Sequence, residues 1–273
     1  MDCKETVSVE TPDEDGADLL IERRGSVLWL TINREARRNA ISAALIARMH
    51  QAFRDAQGDV SLRAIVLTGV GDKAFCAGAD LNRGTQAFRD EDETTTDFGR
   101  MARTVRELGV PLIARVNGAC VAGGMGLMGI CDLAVASDNA RFGLPEVKVG
   151  VFPMQVLVHL RGVIGSRLVS ELCITGELID ARRAFEIGLV NRVVPFVDLD
   201  SEVEKLLGAI RKASPAAIRS GKRAMAAMQD MAFDEAMPFA EAQINLISRS
   251  SGAAEGIAAF NERRPAKWAE DGQ

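Results

Sequence analysis

The sequence lacks four things, and each absence closes off a class of function. It has no excess of positive charge: 33 Lys and Arg stand against 38 Asp and Glu, for a net charge of −5. No broad basic face follows from that balance, which argues against a nucleic-acid partner. It has no paired-cysteine pattern: Cys3, Cys76, Cys120, Cys131 and Cys173 show neither CxxC nor metal-ligand spacing. Their odd number and mostly apolar settings read as reduced thiols in an intracellular protein. It has no uninterrupted apolar span of about 18 residues and no amino-terminal apolar h-region, so a protein neither secreted nor membrane-spanning, and cytoplasmic, is expected. And it is short of histidine, with His50 and His159 alone. That leaves few bases to activate Cys76 or Cys120, which read better as small packing residues than as nucleophiles.

What is present is a chain of 273 residues, 47% hydrophobic and 26% charged, enough to build a full globular core. Its most informative feature is a pair of glycine-rich turns, Gly71-Asp-Lys-Ala-Phe-Cys-Ala-Gly-Ala-Asp80 and Val116-Asn-Gly-Ala-Cys-Val-Ala-Gly-Gly-Met125. Each follows a short apolar strand, and the second opens an apolar helical stretch. Glycine allows close approach of a ligand to bare N–H groups. Two such turns brought together would grip one oxygen from two sides, as in an oxyanion hole, which points to chemistry on a carbonyl. Two ordinary strand-to-helix turns are the alternative, since a short glycine motif is weak evidence by itself.

Along the chain, residues 1–18 read as an acidic flexible tail and 90–97 as an exposed acidic loop. Strands are expected at Leu19–Glu22, Val27–Ile32, Ala64–Thr68, Pro111–Val116, Asp132–Ala136 and Leu189–Val194. Helices are expected at Ser42–Gln57, with Ser42 as N-cap and Gly58 closing the end, at Phe98–Leu108, and from Gly124 to Cys131. Further helices fall at Val156–Leu160, Ser166–Leu172 and after Asp180. From Ser201 onward only helical periodicity is found, over 201–212, 215–230, 233–248 and 252–263. Alternating strands and helices followed by helices alone give an α/β core, residues 19–200, and a helical region, 201–273. The short intervals suit a coiled spiral of units better than a Rossmann sheet.

Taken together, these residues resemble the crotonase (enoyl-CoA hydratase/isomerase) superfamily from residue 19 to about 268. The resemblance rests on Asn33…Arg38-Asn39-Ala40, Lys73-Ala-Phe-Cys-Ala-Gly-Ala-Asp80, Asn117-Gly118…Gly123-Gly124 and Cys131-Asp132. It continues through Phe142-Gly143-Leu144-Pro145-Glu146, Thr175-Gly176…Gly188-Leu189-Val190 and Phe260…Arg263-Arg264-Pro265. It implies a spiral of repeated ββα units with a carboxy-terminal α-helical trimerisation region, and homotrimers or hexamers built as dimers of trimers. It also implies an acyl-CoA thioester substrate whose carbonyl oxygen is held by the backbone N–H groups of Ala79 and Gly123. Arg38, with Arg37, would meet the CoA phosphates, and Arg263 would reach the CoA of a neighbouring subunit. Ala77 and Leu81 would meet the adenine and pantetheine portions, with Ala40 and Asp80 in the same substrate-binding set. Solvated surface charge is the alternative for the three arginines. No metal and no cofactor apart from the substrate's own CoA is expected.

The acid–base equipment departs from the two-glutamate hydratases of that family. Their later carboxylate is matched by Glu146, but the earlier one falls at Gly126. A lone glutamate suits the proton shuttle of double-bond isomerisation more naturally than hydration, although single-glutamate hydratases occur in the family. After Glu146, Met154 stands where a small residue is common, as a wall of the pocket, and Gln155 is a candidate to orient water or substrate. His159 reads as a core histidine before a base, and Glu91, Asp92 and Asp97 are candidates to swing over the pocket. Beside an enoyl-CoA isomerase or hydratase stand a thioester hydrolase or decarboxylase of the same fold, and a degenerate, non-catalytic acyl-CoA-binding protein.

Overall fold

The computed structural model describes residues 18–80 and 95–270. Most of the acidic tail, Leu81, Glu91 and Asp92 lie outside the described residues. Strands β1 (Leu19–Arg24) and β2 (Val27–Ile32) pair antiparallel around a tight turn at Gly25. Helix α1 (Ala43–Gly58) starts at Ser42, whose Oγ accepts from Leu45 N at 3.1 Å, and it buries Leu45, Ile46, Met49, Ala52, Phe53 and Ala56. Gly58 does not close this helix as its sequence position leads one to expect. The helix runs through it, and Asp59 ends it by accepting Ser61 N–H on its carboxylate at 2.8 Å. An aspartate turn thus does what a left-handed glycine would have done.

The following strands come in pairs: β3 (Ala64–Gly69) with β4 (Ala74–Cys76), β5 (Leu112–Val116) with β6 (Ala119–Val121), β7 (Leu133–Ser137) with β8 (Arg141–Gly143). The first of each pair joins a six-stranded sheet ordered β1-β2-β3-β5-β7-β10, where β10 is Arg192–Val194. The second joins a four-stranded sheet ordered β4-β6-β8-β9, where β9 is Ile179–Asp180. Within the large sheet β2, β3, β5, β7 and β10 run parallel, as do β4, β6 and β8 in the small one. Helix α2 (Asp97–Glu107) separates β4 from β5, and α3 (Gly123–Gly129) separates β6 from β7. Strand, strand, helix, then a parallel step: this is the ββα spiral, and it brings the ends of successive short strands side by side.

Period-two alternation sorts the large sheet between two apolar layers. Ile65 and Leu67 enter the main core with Leu45, Phe53 and Phe75, while Ala64 and Val66 meet Trp29, Ile113, Val135 and Leu199, Val203 and Leu207. The last three lie on α7 (Leu199–Lys212), so the sheet is covered on both faces, as parallel strands require. Arg63 fastens the end of α7 by donating to the carbonyls of Arg211 at 2.8 Å and Ala213 at 2.6 Å.

Between β8 and α7 lie α4 (Met154–Leu160), α5 (Ser166–Thr175) and α6 (Ala181–Glu186), the last capped by the Asp180 carboxylate on Arg183 N at 2.8 Å. The strand expected over Leu189–Val194 is only Arg192–Val194. Leu189 N–H is spent on Ala184 O to finish α6, and the Asn191 side chain accepts from Ala134 N, so pairing starts one residue later. Four helices complete the fold: α8 (Pro215–Met228), α9 (Phe233–Ser248), α10 (Ser251–Glu262) and α11 (Lys267–Glu270). In this single chain they leave Met225, Phe233, Leu246, Ile257 and Phe260 exposed. Among the described residues, no helix is long and apolar enough to cross a membrane.

Candidate active site

Two buried asparagines build the first glycine turn. Asn39 follows Arg38, and both adopt left-handed backbone, φ 56° and 53°. From that corner the Asn39 amide donates to Ala74 O at 2.7 Å and Val70 O at 3.1 Å, while its oxygen accepts from Arg34 N at 3.1 Å. Asn117 opens the second turn and reaches back to the same place. It accepts from Gly69 N at 3.1 Å and donates to Gly71 O at 2.7 Å and Ala74 O at 3.1 Å. Each asparagine supplies a fixed set of donors and acceptors to a turn that has no sheet partner for those groups. The Cys131-Asp132 pair is likewise structural: the Asp132 carboxylate accepts Leu112 N at 2.7 Å and Lys222 Nζ at 2.6 Å, tying α8 to the start of β5.

The two turns then touch. Gly78 has φ +93°, and a Cβ there would lie 2.7 Å from Ala122 Cβ and 3.3 Å from Gly123 N. Ala122 itself has φ 51° and ψ −127°, a backbone state that costs an alanine on the order of 1–3 kcal/mol. The space at Gly123 borders the other turn, since a Cβ there would fall 3.7 Å from Ala79 N. Ala79 is bracketed by Ile41, whose N–H donates to Gly78 O at 2.7 Å and whose carbonyl accepts from Asp80 N at 2.9 Å. The Ala79 and Gly123 N–H groups donate to no acceptor among the described residues. Two free amide donors from separate turns therefore border one space, the arrangement an oxyanion demands.

Glu146 enters from β8. Gly143 O accepts from Ala122 N at 2.9 Å, and the chain then turns through a short 3-10 helix, Pro145–Val149, that carries Glu146. Its carboxylate is half-buried, and Oε2 is fully buried with no hydrogen-bond partner among the described residues. Burial raises its pKa above the ordinary 4.5, partly offset by its own backbone N–H. Burial, and after it the Glu146 charge, push the Cys173 thiol up to about 11. A buried carboxyl held with a spare oxygen is equipped to take and return a proton.

The wall around Gly126 is apolar. A Cβ at Gly126 would stand 3.0 Å from Phe98 Cζ and 3.2 Å from Val156 Cγ2, so the ring at the start of α2 fills the space a side chain would use. Phe98 meets His159 edge-on, centroids 6.1 Å apart. His159 is packed against this wall, and burial lowers its pKa. Gln155 donates to Thr96 Oγ1, Met154 is exposed at the start of α4, and Asp97 is ion-paired with Arg100. Phe98 carries no motif; only its place on the apolar face of a predicted helix marked it.

The other sequence candidates divide. Arg38 O accepts from Ala77 N at 3.1 Å, so residues 37–41 and 77–80 run alongside one another; Ala40 is buried there, and Arg37 and Arg38 are exposed. The Asp80 carboxylate pairs with Arg34 at 3.0 Å. Arg263 stands elsewhere in the chain, exposed at the end of α10 with φ 54°. Cys76 and Cys120 are fully buried on paired strands; burial pushes the Cys76 thiol up to about 12 and Cys120 upward as well, which leaves neither a nucleophile.

The two-sheet spiral is shared with known proteins. The sequence model of the enoyl-CoA hydratase/isomerase family matches residues 22–271, and the chain belongs to that family. It is 34% identical over 254 residues to the 2,3-dehydroadipyl-CoA hydratase of Escherichia coli, covering 91% of this chain and 97% of that protein. It is 36% identical over 258 residues to an enoyl-CoA hydratase of Mycobacterium tuberculosis, covering 92% and 96%. Among solved structures, an enoyl-CoA hydratase of Mycobacterium smegmatis superposes with a TM-score of 0.85 at 34% identity over 92% of this chain and 99% of that one. AtuE of Pseudomonas aeruginosa does so with a TM-score of 0.87 at 31% identity over 93% and 100%.

Proposed function

We propose that this protein acts on enoyl-CoA thioesters by holding the thioester oxygen on Ala79 N–H and Gly123 N–H while Glu146 moves the proton. The observation that carries the reading is the meeting of two turns whose amide donors are unused among the described residues, together with a buried carboxyl, likewise with an unpartnered oxygen, three residues past the strand end that is bonded to the second turn. Removal of a proton next to the thioester builds negative charge on its oxygen. Two fixed N–H groups stabilise that charge without reorganising, which is worth about 3 kcal/mol per donor. Glu146, in its ionised form, accepts the proton and delivers it to a second carbon. Arg37 and Arg38, exposed beside residues 77–80, would meet the CoA phosphates in this reading. The apolar side chains left exposed on α8–α10 favour a homotrimer or a hexamer, with Arg263 offered to a neighbour's CoA. No separate cofactor or metal has a role in this scheme.

Within this reading, shift of a double bond is favoured over addition of water. Position 126 has no carboxylate, and Phe98 with Val156 occupies the space, so Glu146 has no acidic partner there to share a water. Hydration is the second reading, favoured by relatives that bear the name hydratase. Incubation with a 3-enoyl-CoA and, separately, a 2-enoyl-CoA decides between them. Isomerisation of the first without change of mass is the expected result. Gain of one water by the second supports hydration, release of free CoA supports a hydrolase, and tight binding with no turnover supports a non-catalytic acyl-CoA-binding protein.

A further inference from the structure

The first glycine turn owes its position to a side chain outside both turns. Arg34 leaves the end of β2, its side chain 15% exposed, and its guanidinium is divided three ways. Nε faces Asp18 Oδ2 at 3.2 Å, Nη2 faces Asp80 Oδ2 at 3.0 Å, and Nη1 donates to Ala40 O. Asp18 is in turn bonded by Ser42 Oγ at 2.7 Å, the N-cap of α1. Asp80 is the residue after Ala79, and Ala40 is the residue before Ile41, which brackets Ala79 with two backbone hydrogen bonds. Arg34 therefore grips both strands of the small ladder from which the Ala79 N–H projects, one by a carboxylate and one by a carbonyl.

We infer that Arg34 is a positioning residue for the oxyanion site: acting through Asp80 and Ala40, it sets the direction of the Ala79 N–H. The inference rests on the reading of Ala79 and Gly123 as the thioester donors. A planar guanidinium with donors at fixed angles holds two strands in register, whereas a lysine ammonium offers one charged point on a flexible stem. A donor misdirected by about 1 Å is enough to cost on the order of 100-fold in rate. Because the substrate carbonyl is polarised more in the transition state than at rest, the loss falls on kcat before KM.

The test uses the full-length protein with Arg34→Lys and, as a second variant that keeps the shape of the side chain, Asp80→Asn. Each is followed by thermal unfolding, by kcat and KM on the enoyl-CoA turned over, and by the ultraviolet band of bound cinnamoyl-CoA, whose red shift reports polarisation of the thioester carbonyl. For Arg34→Lys a folded protein is expected with KM within about threefold of wild type, kcat lower by about 10–100-fold, and a smaller red shift. Asp80→Asn moves the same readouts in the same direction by less, and it carries the test if Arg34→Lys does not fold. A full red shift and normal kcat in a folded variant overturn the inference, as does a rise in KM at unchanged kcat. A wild-type protein that binds cinnamoyl-CoA with no red shift overturns the donor reading itself, which separates the two failures.

Discussion

The two halves of the candidate site are built on opposite principles. The carbonyl half is over-determined: Asn39, Asn117, Arg34 and Ile41 together fix the turn at 69–80 with hydrogen bonds of 2.7–3.1 Å. The proton-transfer half is lightly held. Glu146 rides on a single 3-10 turn with one oxygen unpartnered among the described residues. The contrast follows from the chemistry each half performs. Backbone dipoles stabilise charge only if they are already in place, so rigidity there is the function. A carboxylate that must give and take a proton gains nothing from being tied to several donors, which would hold it ionised.

Breaking the rigid half at its narrowest point has the largest expected effect. A Cβ at Gly123 points toward Ile41 Cδ1, 3.0 Å away, and toward Ala79 N. Gly123→Val therefore fills the oxyanion space while the flexible end of Ile41 gives way. Turnover should fall by at least about 10²–10³, the reach of one lost donor, in a protein that still folds. Near-normal activity in a folded variant would remove Gly123 from the mechanism. In the loose half, Glu146→Gln should slow turnover by about 10²–10⁴ with little loss of CoA-thioester affinity by isothermal titration. An unchanged rate would mean that another group carries the proton.

The same contrast governs what the sequence discloses. Long periodic elements were legible: the α1 face from Leu45 to Phe53, the apolar run at 64–68, the helices after 201. The glycine turns were visible as turns, but the three-residue strands inside them, Ala74–Cys76 and Ala119–Val121, were not, because three residues carry no period. Gly58 misled because glycine after a helix has more than one use, and an aspartate next to it closed the turn instead. Of the site, Ala79, Gly123 and Glu146 were reached through resemblance, while the hydrogen bonds of Asn39 and Asn117 required the fold. Arg34 could not be singled out, and Phe98 was marked only by its place on a predicted helix, since their partners are Asp80 and Gly126, distant in sequence and joined only by the spiral.

A smaller effect, on stability, sharpens the comparison. Asn117 is fully buried and serves Gly69 N, Gly71 O and Ala74 O. Asn117→Ala strands the buried Gly69 N–H, at about 1–3 kcal/mol, and removes two further bonds at about 0.5–1.5 kcal/mol each, since Ala74 O keeps its bond from Asn39 and Gly71 is exposed, so a total loss of about 2–6 kcal/mol is expected by denaturant unfolding. Gln155, exposed and bonded only to Thr96 Oγ1 among the described residues, should tolerate alanine within about 0.5 kcal/mol. Equal costs at the two positions would dissolve the distinction between a rigid and a loose half.

The smallest expected effect concerns the pH dependence of Glu146. Burial raises its folded pKa above 4.5, so the acid limb of kcat/KM should titrate above that value, with activity lost as the pH falls and the base is protonated. Glu146→Gln should abolish the limb along with most of the rate. Stability runs the other way. A carboxyl whose folded pKa is raised stabilises the fold fully only below its unfolded value, where it is protonated in both states, and that contribution is lost as the pH rises through the folded pKa. Above its folded pKa the wild-type protein therefore carries a half-buried charge that favours unfolding, and there Glu146→Gln should unfold at a slightly higher temperature. Below pH 4 the advantage should vanish, because wild type then holds a neutral carboxyl in the same place. A Glu146→Gln protein less stable than wild type above that pKa would show that the Glu146 carboxylate is held by groups other than its own N–H, and would make the proton-transfer half as firmly built as the carbonyl half.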